Sequence, residues 1–231
     1  ERLIFDYFNV EDGLPPFPWT QLTHVFIEAQ LSISAVTAIL GSCLNVRRAA
    51  FHLRSNPIDY AWARTPEFLA KDITLPFLQD LTFFPSSPFH RPFSTIAWPA
   101  LTHLRIYNTN DHMNWHPTNI PKFATLTYLH LDGVTNYFPM ATAIFDAGPL
   151  INHLRIGFVE GVPVVNIFRL LKYNPLQPRL PSLQHLDIRL SPFSLASGFI
   201  ENPSDVAGSL TKLVSSRLDG GRLADETEVG L

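Results

Sequence analysis

The sequence predicts an α/β fold of stacked units, each a short parallel strand returned by a helix or an irregular segment. Three observations lead there. An apolar signature recurs along the chain, prolines recur at one register relative to it, and the composition suits a packed body rather than a solvated coil. The 231 residues hold 46% apolar and only 16% charged side chains, with 17 Lys+Arg against 20 Asp+Glu and a formal charge of −3. That balance can bury a core, and on bulk charge it excludes a basic nucleic-acid binder.

The signature reads apolar-x-x-apolar-x-apolar. It stands at Leu22/Val25/Ile27, Val46/Ala49/Phe51, Leu78/Leu81/Phe83, Leu101/Leu104/Ile106, Leu126/Leu129/Leu131, Ile151/Leu154/Ile156 and Leu183/Leu186/Ile188. The first members are 24, 32, 23, 25, 25 and 32 residues apart. Most of these intervals match the period of about 20–29 residues of leucine-rich repeats, and the two longer ones allow extended loops or helices. A unit of that size cannot bury its own apolar face, so successive units must stack. The expected fold is an α/β leucine-rich-repeat solenoid, a horseshoe with a short parallel β-sheet on the concave face and helices or irregular segments on the convex face.

Taken in order, Leu3 and Phe5 fit the end of a first, truncated strand, since the chain opens at Glu1 in the middle of an apolar alternation and reads as a fragment. Ser32 can cap a helix over Ile33 to Leu40 with Gly41 as its stop. Met140 to Ala147 and Val164 to Tyr173 are two further helical returns, the second stopped by Asn174-Pro175. Pro85 to Ala97 and Asn108 to Lys122 read as irregular. Ahead of each strand stand Trp19-Thr20, Cys43-Leu44, Leu75-Pro76, Trp98-Pro99, Phe123-Ala124, Gly148-Pro149 and Leu180-Pro181. Proline there has a preset φ and no donor to lose, and it ends the return segment before the strand begins. Val206 to Leu218 reads as an amphipathic helix over the open end of the stack. The expected domain therefore spans residues 1–218, with 219–231 a frayed acidic tail in which Asp219-Gly220-Gly221 forms a turn.

The segments LPFLQDLTFF, WPALTHLRIYN, FATLTYLHLDG and LPSLQHLDIRL resemble the leucine-rich-repeat region of fungal F-box proteins, especially the basidiomycete group. SCLNVRRAAFHL resembles the same family's helix-to-strand junction, with Leu44 where proline is usual. The likeness covers residues 1 to 218. It implies the substrate-binding part of a ubiquitin-ligase receptor, joined to the ligase adaptor only through an N-terminal F-box that this sequence lacks. The expected partner is a protein substrate or peptide, with no nucleic acid and no membrane, and the expected state is a monomer.

Alternation along each strand predicts which side chains reach the concave face. They are Arg2/Ile4/Asp6, His24/Phe26/Glu28, Arg48/Ala50/His52, Asp80/Thr82/Phe84, His103/Arg105/Tyr107, Tyr128/His130/Asp132, His153/Arg155/Gly157 and His185/Asp187/Arg189. The last four triplets would merge into one patch, from which His103, Arg105, Tyr107, Tyr128, His130, His153, Arg155, His185, Asp187 and Arg189 form the candidate partner-binding site. Arginine forks with tyrosine contact area suit an acidic or phosphorylated peptide, and histidines would make binding acid-sensitive. The plainer reading is that these side chains only hydrogen-bond one another. Phe26, Phe84 and Tyr107 form a second candidate cluster, which loops could instead bury.

Other chemistry is not encoded in a recognisable pattern. His112 and His116 stand four apart but precede Pro117 and lack the glutamate of a metalloprotease helix, so a loop is expected and no metal. Cys43, the only cysteine, falls on the apolar side and reads as a buried structural thiol. Nucleophile elbows, P-loops and dinucleotide loops are absent, and no nucleophile pairs with an orienting carboxylate. No enzyme activity and no cofactor are expected. The single cysteine and the lone Asn202-Pro-Ser, disqualified as a glycosylation acceptor, point to an intracellular compartment, cytoplasmic or nuclear. Ala29 to Val46 is too polar to span a membrane, and no signal peptide is visible. The rival function is a stand-alone scaffold or regulator without a link to ubiquitin.

Overall fold

Seven times among the described residues the same four-residue turn delivers a strand. In the computed structural model the N–H of Leu22, Val46, Leu78, Leu101, Leu126, Ile151 and Leu183 donates to the carbonyl three residues earlier, at 3.0–3.4 Å. Pro76, Pro99, Pro149 and Pro181 occupy the second position of this turn, where their fixed φ is the one required and their missing N–H is not needed. The carbonyl comes from Trp19, Cys43, Leu75, Trp98, Phe123, Gly148 or Leu180, and each of these residues is buried. The proline register is thus a turn position as well as the end of a return segment. The structure describes residues 16–53, 73–85, 96–107, 123–134, 138–158, 164–176, 179–190 and 203–228.

The strands are β1 (His24–Leu31), β2 (Arg48–Leu53), β3 (Ile73–Thr74), β4 (Asp80–Pro85), β5 (Ile96–Ala97), β6 (His103–Ile106), β7 (Tyr128–Val134), β8 (His153–Phe158) and β9 (His185–Leu190). Seven of them form one parallel sheet in the order β1-β2-β4-β6-β7-β8-β9, so each new strand adds to the same edge. Four α-helices accompany it among the described residues: α1 (Ile33–Ser42), α2 (Phe138–Ala147), α3 (Val164–Leu171) and α4 (Pro203–Glu228). The protein is therefore α/β with a mostly parallel sheet, as its repeat pattern predicts.

Just before each strand one carbonyl accepts two N–H groups from the following unit. Thr23 O receives Arg47 and Arg48, Arg47 O receives Gln79 and Asp80, and the pattern continues through Gln79, Thr102, Thr127 and Asn152. Thr102 and Thr127 add hydroxyl donations to the preceding carbonyls at 3.1 and 3.2 Å. Beneath this ladder the paired inward residues, such as Leu81/Phe83, Leu104/Ile106 and Leu129/Leu131, are buried, and one core cluster runs from Trp19 to Leu213. α1, α2 and α3 contribute Ile39 and Leu40, Ile144 and Phe145, and Ile167 and Phe168 to it.

Several boundaries differ from the sequence expectation. Ser32 does cap α1, accepting from Ala35 N at 3.1 Å, but the helix runs through Gly41 to Ser42. Gly41 is a close-approach position rather than a stop, since a Cβ there would lie 3.3 Å from Ile73 Cδ1. α2 begins at Phe138, and α3 ends at Leu171 rather than Tyr173. Ile73–Thr74 and Ile96–Ala97 pair as a second, two-stranded parallel sheet inside stretches too short and proline-broken to read as strands. α4 continues ten residues beyond Leu218, through the glycine pair expected to turn. Two glycines cost a helix only about 1 kcal/mol each, and the run RLADETE beyond them is rich in helix formers. No helix among the described residues is long and apolar enough to cross a membrane. The truncated strand at Leu3/Phe5 with Arg2, Ile4 and Asp6, and the His112/His116 loop, lie outside the described residues.

Candidate functional site

The polar side chains between the buried pairs leave the seven-stranded sheet on one side, and the parallel registry aligns them in rows. One row is His24, Arg48, Asp80, His103, Tyr128, His153 and His185. The next is Phe26, Ala50, Thr82, Arg105, His130, Arg155 and Asp187. Tyr107, whose N–H continues the ladder to Phe83 O at 2.9 Å, and Arg189, opposite Gly157, stand in the third. All ten candidate residues of the sequence reading thus lie on one face.

The third row departs from the expected triplets at two bulges. In β1 the register slips between Ile27 and Gln30, so Gln30 rather than Glu28 lies beside His52. In β7 it slips between Leu131 and Val134, with Gly133 at φ 76°, a left-handed conformation glycine adopts without strain. Asp132 Oδ1 accepts from Gly133 N at 3.1 Å, and its carboxylate lies over Gly157, where a Cβ would overlap Oδ1.

Rings pack against rings along these rows. His52 and Phe84 stack at 4.4 Å, Phe84 and Tyr107 at 4.8 Å, and Tyr107 meets His130 edge-on at 4.8 Å. Phe26 is not part of this group: it belongs to the second row of β1 and contacts His24 at 6.4 Å. In the first row His103, Tyr128, His153 and His185 follow one another at 5.5, 4.8 and 5.5 Å. The pairs His52/Phe84, Phe84/Tyr107 and His103/Tyr128 turn their faces toward one another, while the remaining pairs are tilted or edge-on. Thr102 Oγ1 lies 2.9 Å from His103 Nδ1; when its hydroxyl donates to Gln79 O, it accepts from Nδ1–H, and Nε2 is left as the acceptor.

The three arginines of the candidate patch each stand near a carboxylate. Arg105 Nη1 donates to Asp80 Oδ1 at 2.6 Å, and its Cζ sits 5.3 Å from the Tyr128 ring. Burial opposes the Arg105 charge, yet the hydrogen bond and charge of Asp80 outweigh it and hold the guanidinium pKa above its usual value. Arg155 Nε lies 3.3 Å from Asp187 Oδ2 without hydrogen-bond alignment, and Arg189 Nε approaches the same oxygen at 3.6 Å. His130 is 5% exposed between these groups. Its pKa is lowered first by burial and then by the positive charges of Arg155 and Arg105, against the opposing pull of Asp132 and Asp187. Burial lowers His52 as well.

Cys43 is buried where α1 ends, and burial pushes its thiol up to about 12, which leaves it protonated and unreactive at neutral pH. Among the described residues no group of three or more His, Cys, Asp or Glu side chains converges to hold a metal ion. The sequence reading missed Gln30 on the face and the joining of His52 to the aromatic stack. Neither bulge leaves a sequence signal beyond the Asp132-Gly133 pair. No family model, no curated protein and no solved structure matches the chain.

Proposed function

We propose that this chain is a leucine-rich-repeat solenoid acting as an intracellular, non-catalytic protein-recognition module. Its resemblance to fungal F-box proteins leads us to read it as the substrate-binding part of a ubiquitin-ligase receptor. The observation that supports recognition is the pre-ordered polar face. Stacked rings and paired arginines have little rotamer freedom left to lose when a partner docks, which lowers the entropic cost of association. An acidic peptide would have to displace Asp80 from Arg105 and Asp187 from Arg155, so the partner we assign is a segment of mixed or neutral charge.

The test compares wild-type protein with a Tyr128→Ala/His153→Ala/Arg189→Ala variant and an Arg47→Ala control, each incubated with lysate of the source organism and read by quantitative mass spectrometry. A specific protein retained by wild type and control but lost from the triple variant supports recognition through this face. Identical retention by all three overturns it. The link to ubiquitin is decided separately: the upstream coding sequence carries an F-box if the receptor reading holds, and its absence leaves the scaffold reading.

A further inference from the structure

A cavity of about 400 Å³ lies where α3 ends. Arg169, Lys172 and Arg179 line it, no carboxylate does, and Leu170, Tyr173, Asn174 and Pro175 supply the rest of the wall. In a chain of net charge −3, the unpaired Arg169 and Lys172 beside an Arg179 already paired with Asp146 leave a local excess of positive charge. Arg169 and Lys172 make no hydrogen bond or ion pair among the described residues, and both are exposed. Arg179 is held by one bond, Nε to Asp146 Oδ1 at 3.0 Å, which leaves its two Nη groups available.

The carboxyl end of a helix ordinarily repels an anion, because its free carbonyls carry the negative end of the dipole. Here Arg217 of α4 covers the last of them, Leu171 O. It donates to Leu171 O through Nε at 3.2 Å and Nη2 at 2.8 Å, to Leu180 O at 2.8 Å and to Arg179 O at 3.1 Å. The repulsion is therefore reduced at Leu171, while Arg169, Lys172 and Arg179 line the cavity.

We propose that this cavity binds a phosphate monoester carried on a short organic body, the chemistry of a phosphorylated side chain. A monoester is close to doubly charged at neutral pH and offers three acceptor oxygens to the three cations. The volume lies at the small end of the range of about 300–1,000 Å³ for ligand sites, and Leu170, Tyr173 and Pro175 provide apolar wall that a bare phosphate would not use. The site is separate from the polar face of the sheet and does not depend on it.

Isothermal titration of the whole chain with phenyl phosphate and, separately, with inorganic phosphate at low ionic strength tests this. Saturable one-to-one binding of phenyl phosphate is expected, about tenfold tighter than inorganic phosphate and weakened about tenfold in both Arg169→Gln and Lys172→Gln. Both substituted residues are exposed, so the variants should keep the wild-type circular dichroism spectrum and melting temperature. Absence of saturation up to about 10 mM overturns the proposal, as does unchanged affinity in both variants. Equal affinity for inorganic and phenyl phosphate overturns the assignment of an organic body.

Discussion

Arg217→Ala removes the cation that ties the last helix to the sheet-bearing part of the molecule. The wild-type guanidinium makes four hydrogen bonds to three backbone carbonyls, Leu171, Arg179 and Leu180, at 2.8–3.2 Å. Each charge-assisted bond is worth about 1.5–3 kcal/mol, but the side chain is only part-buried and water can replace some of the partners. We expect a loss of about 2–4 kcal/mol. Arg217→Lys keeps the charge and cannot reproduce the fork, so it should recover less than half of the loss. Because the acceptors are neutral carbonyls and not carboxylates, the loss should change little between low and high salt, unlike that of a surface ion pair. Urea unfolding followed by circular dichroism measures the energy. Hydrogen exchange at Tyr173, whose N–H donates to Ser216 Oγ at 3.1 Å, reports whether α4 detaches on its own. A loss below about 0.5 kcal/mol, or full recovery by lysine, would refute the reasoning.

Three further outcomes follow from local geometry. Gly157→Ala places a Cβ against the Asp132 carboxylate, which must give up its bond to Gly133 N, at a cost of about 1–2 kcal/mol; in an Asp132→Ala background the same change should cost under about 0.5 kcal/mol in urea titrations, and an unchanged penalty would show that the clash is not the cause. Leu44→Pro and Ala124→Pro extend the proline register to turns closed by Val46 N to Cys43 O and Leu126 N to Phe123 O. Each should stabilise by about 0.4–1 kcal/mol through the unfolded chain, and a fall in denaturation midpoint would contradict this. His130 binds its proton less readily in the folded protein than in the unfolded one, so stability should fall as pH drops below about 6.5 and level off once the folded pKa is passed; His130→Gln should flatten that slope in urea midpoints measured across the interval, and an equally steep slope would assign it elsewhere.

What the sequence made legible is what repeats. The apolar triplet specified six strand-to-strand steps, because a two-residue alternation leaves no freedom in which side chain faces the core once a unit must stack. Proline marked the turn, though its role as second residue of a hydrogen-bonded turn needed the carbonyls of Leu75, Trp98, Gly148 and Leu180 to be located. What stayed hidden is what happens once. The pairing of Ile73–Thr74 with Ile96–Ala97 rests on two residues each, below the length at which periodicity is a signal. The full extent of α4 was obscured by Gly220-Gly221, a pair that reads as a turn but costs a helix only about 1 kcal/mol per glycine.

The same division runs through the polar face. Positions were legible, since all ten candidate side chains stand in the rows that alternation assigns. Several interactions were not, because they run diagonally or across bulges. Asp80 reaches the arginine of the next row on the next strand, and His130 fills the place beside Tyr107 that Asp132 leaves when it turns over Gly157. A list of arginines and histidines suggests affinity for anions, whereas Asp80 and Asp187 offset Arg105 and Arg155, and burial lowers the pKa of His130. Cations without a pairing carboxylate of their own instead gather at the end of α3, where Arg169 and Lys172 remain unengaged. The charge that matters for an anion is thus set by which side chains lack a partner, and that depends on contacts between units rather than on the sequence of any one of them.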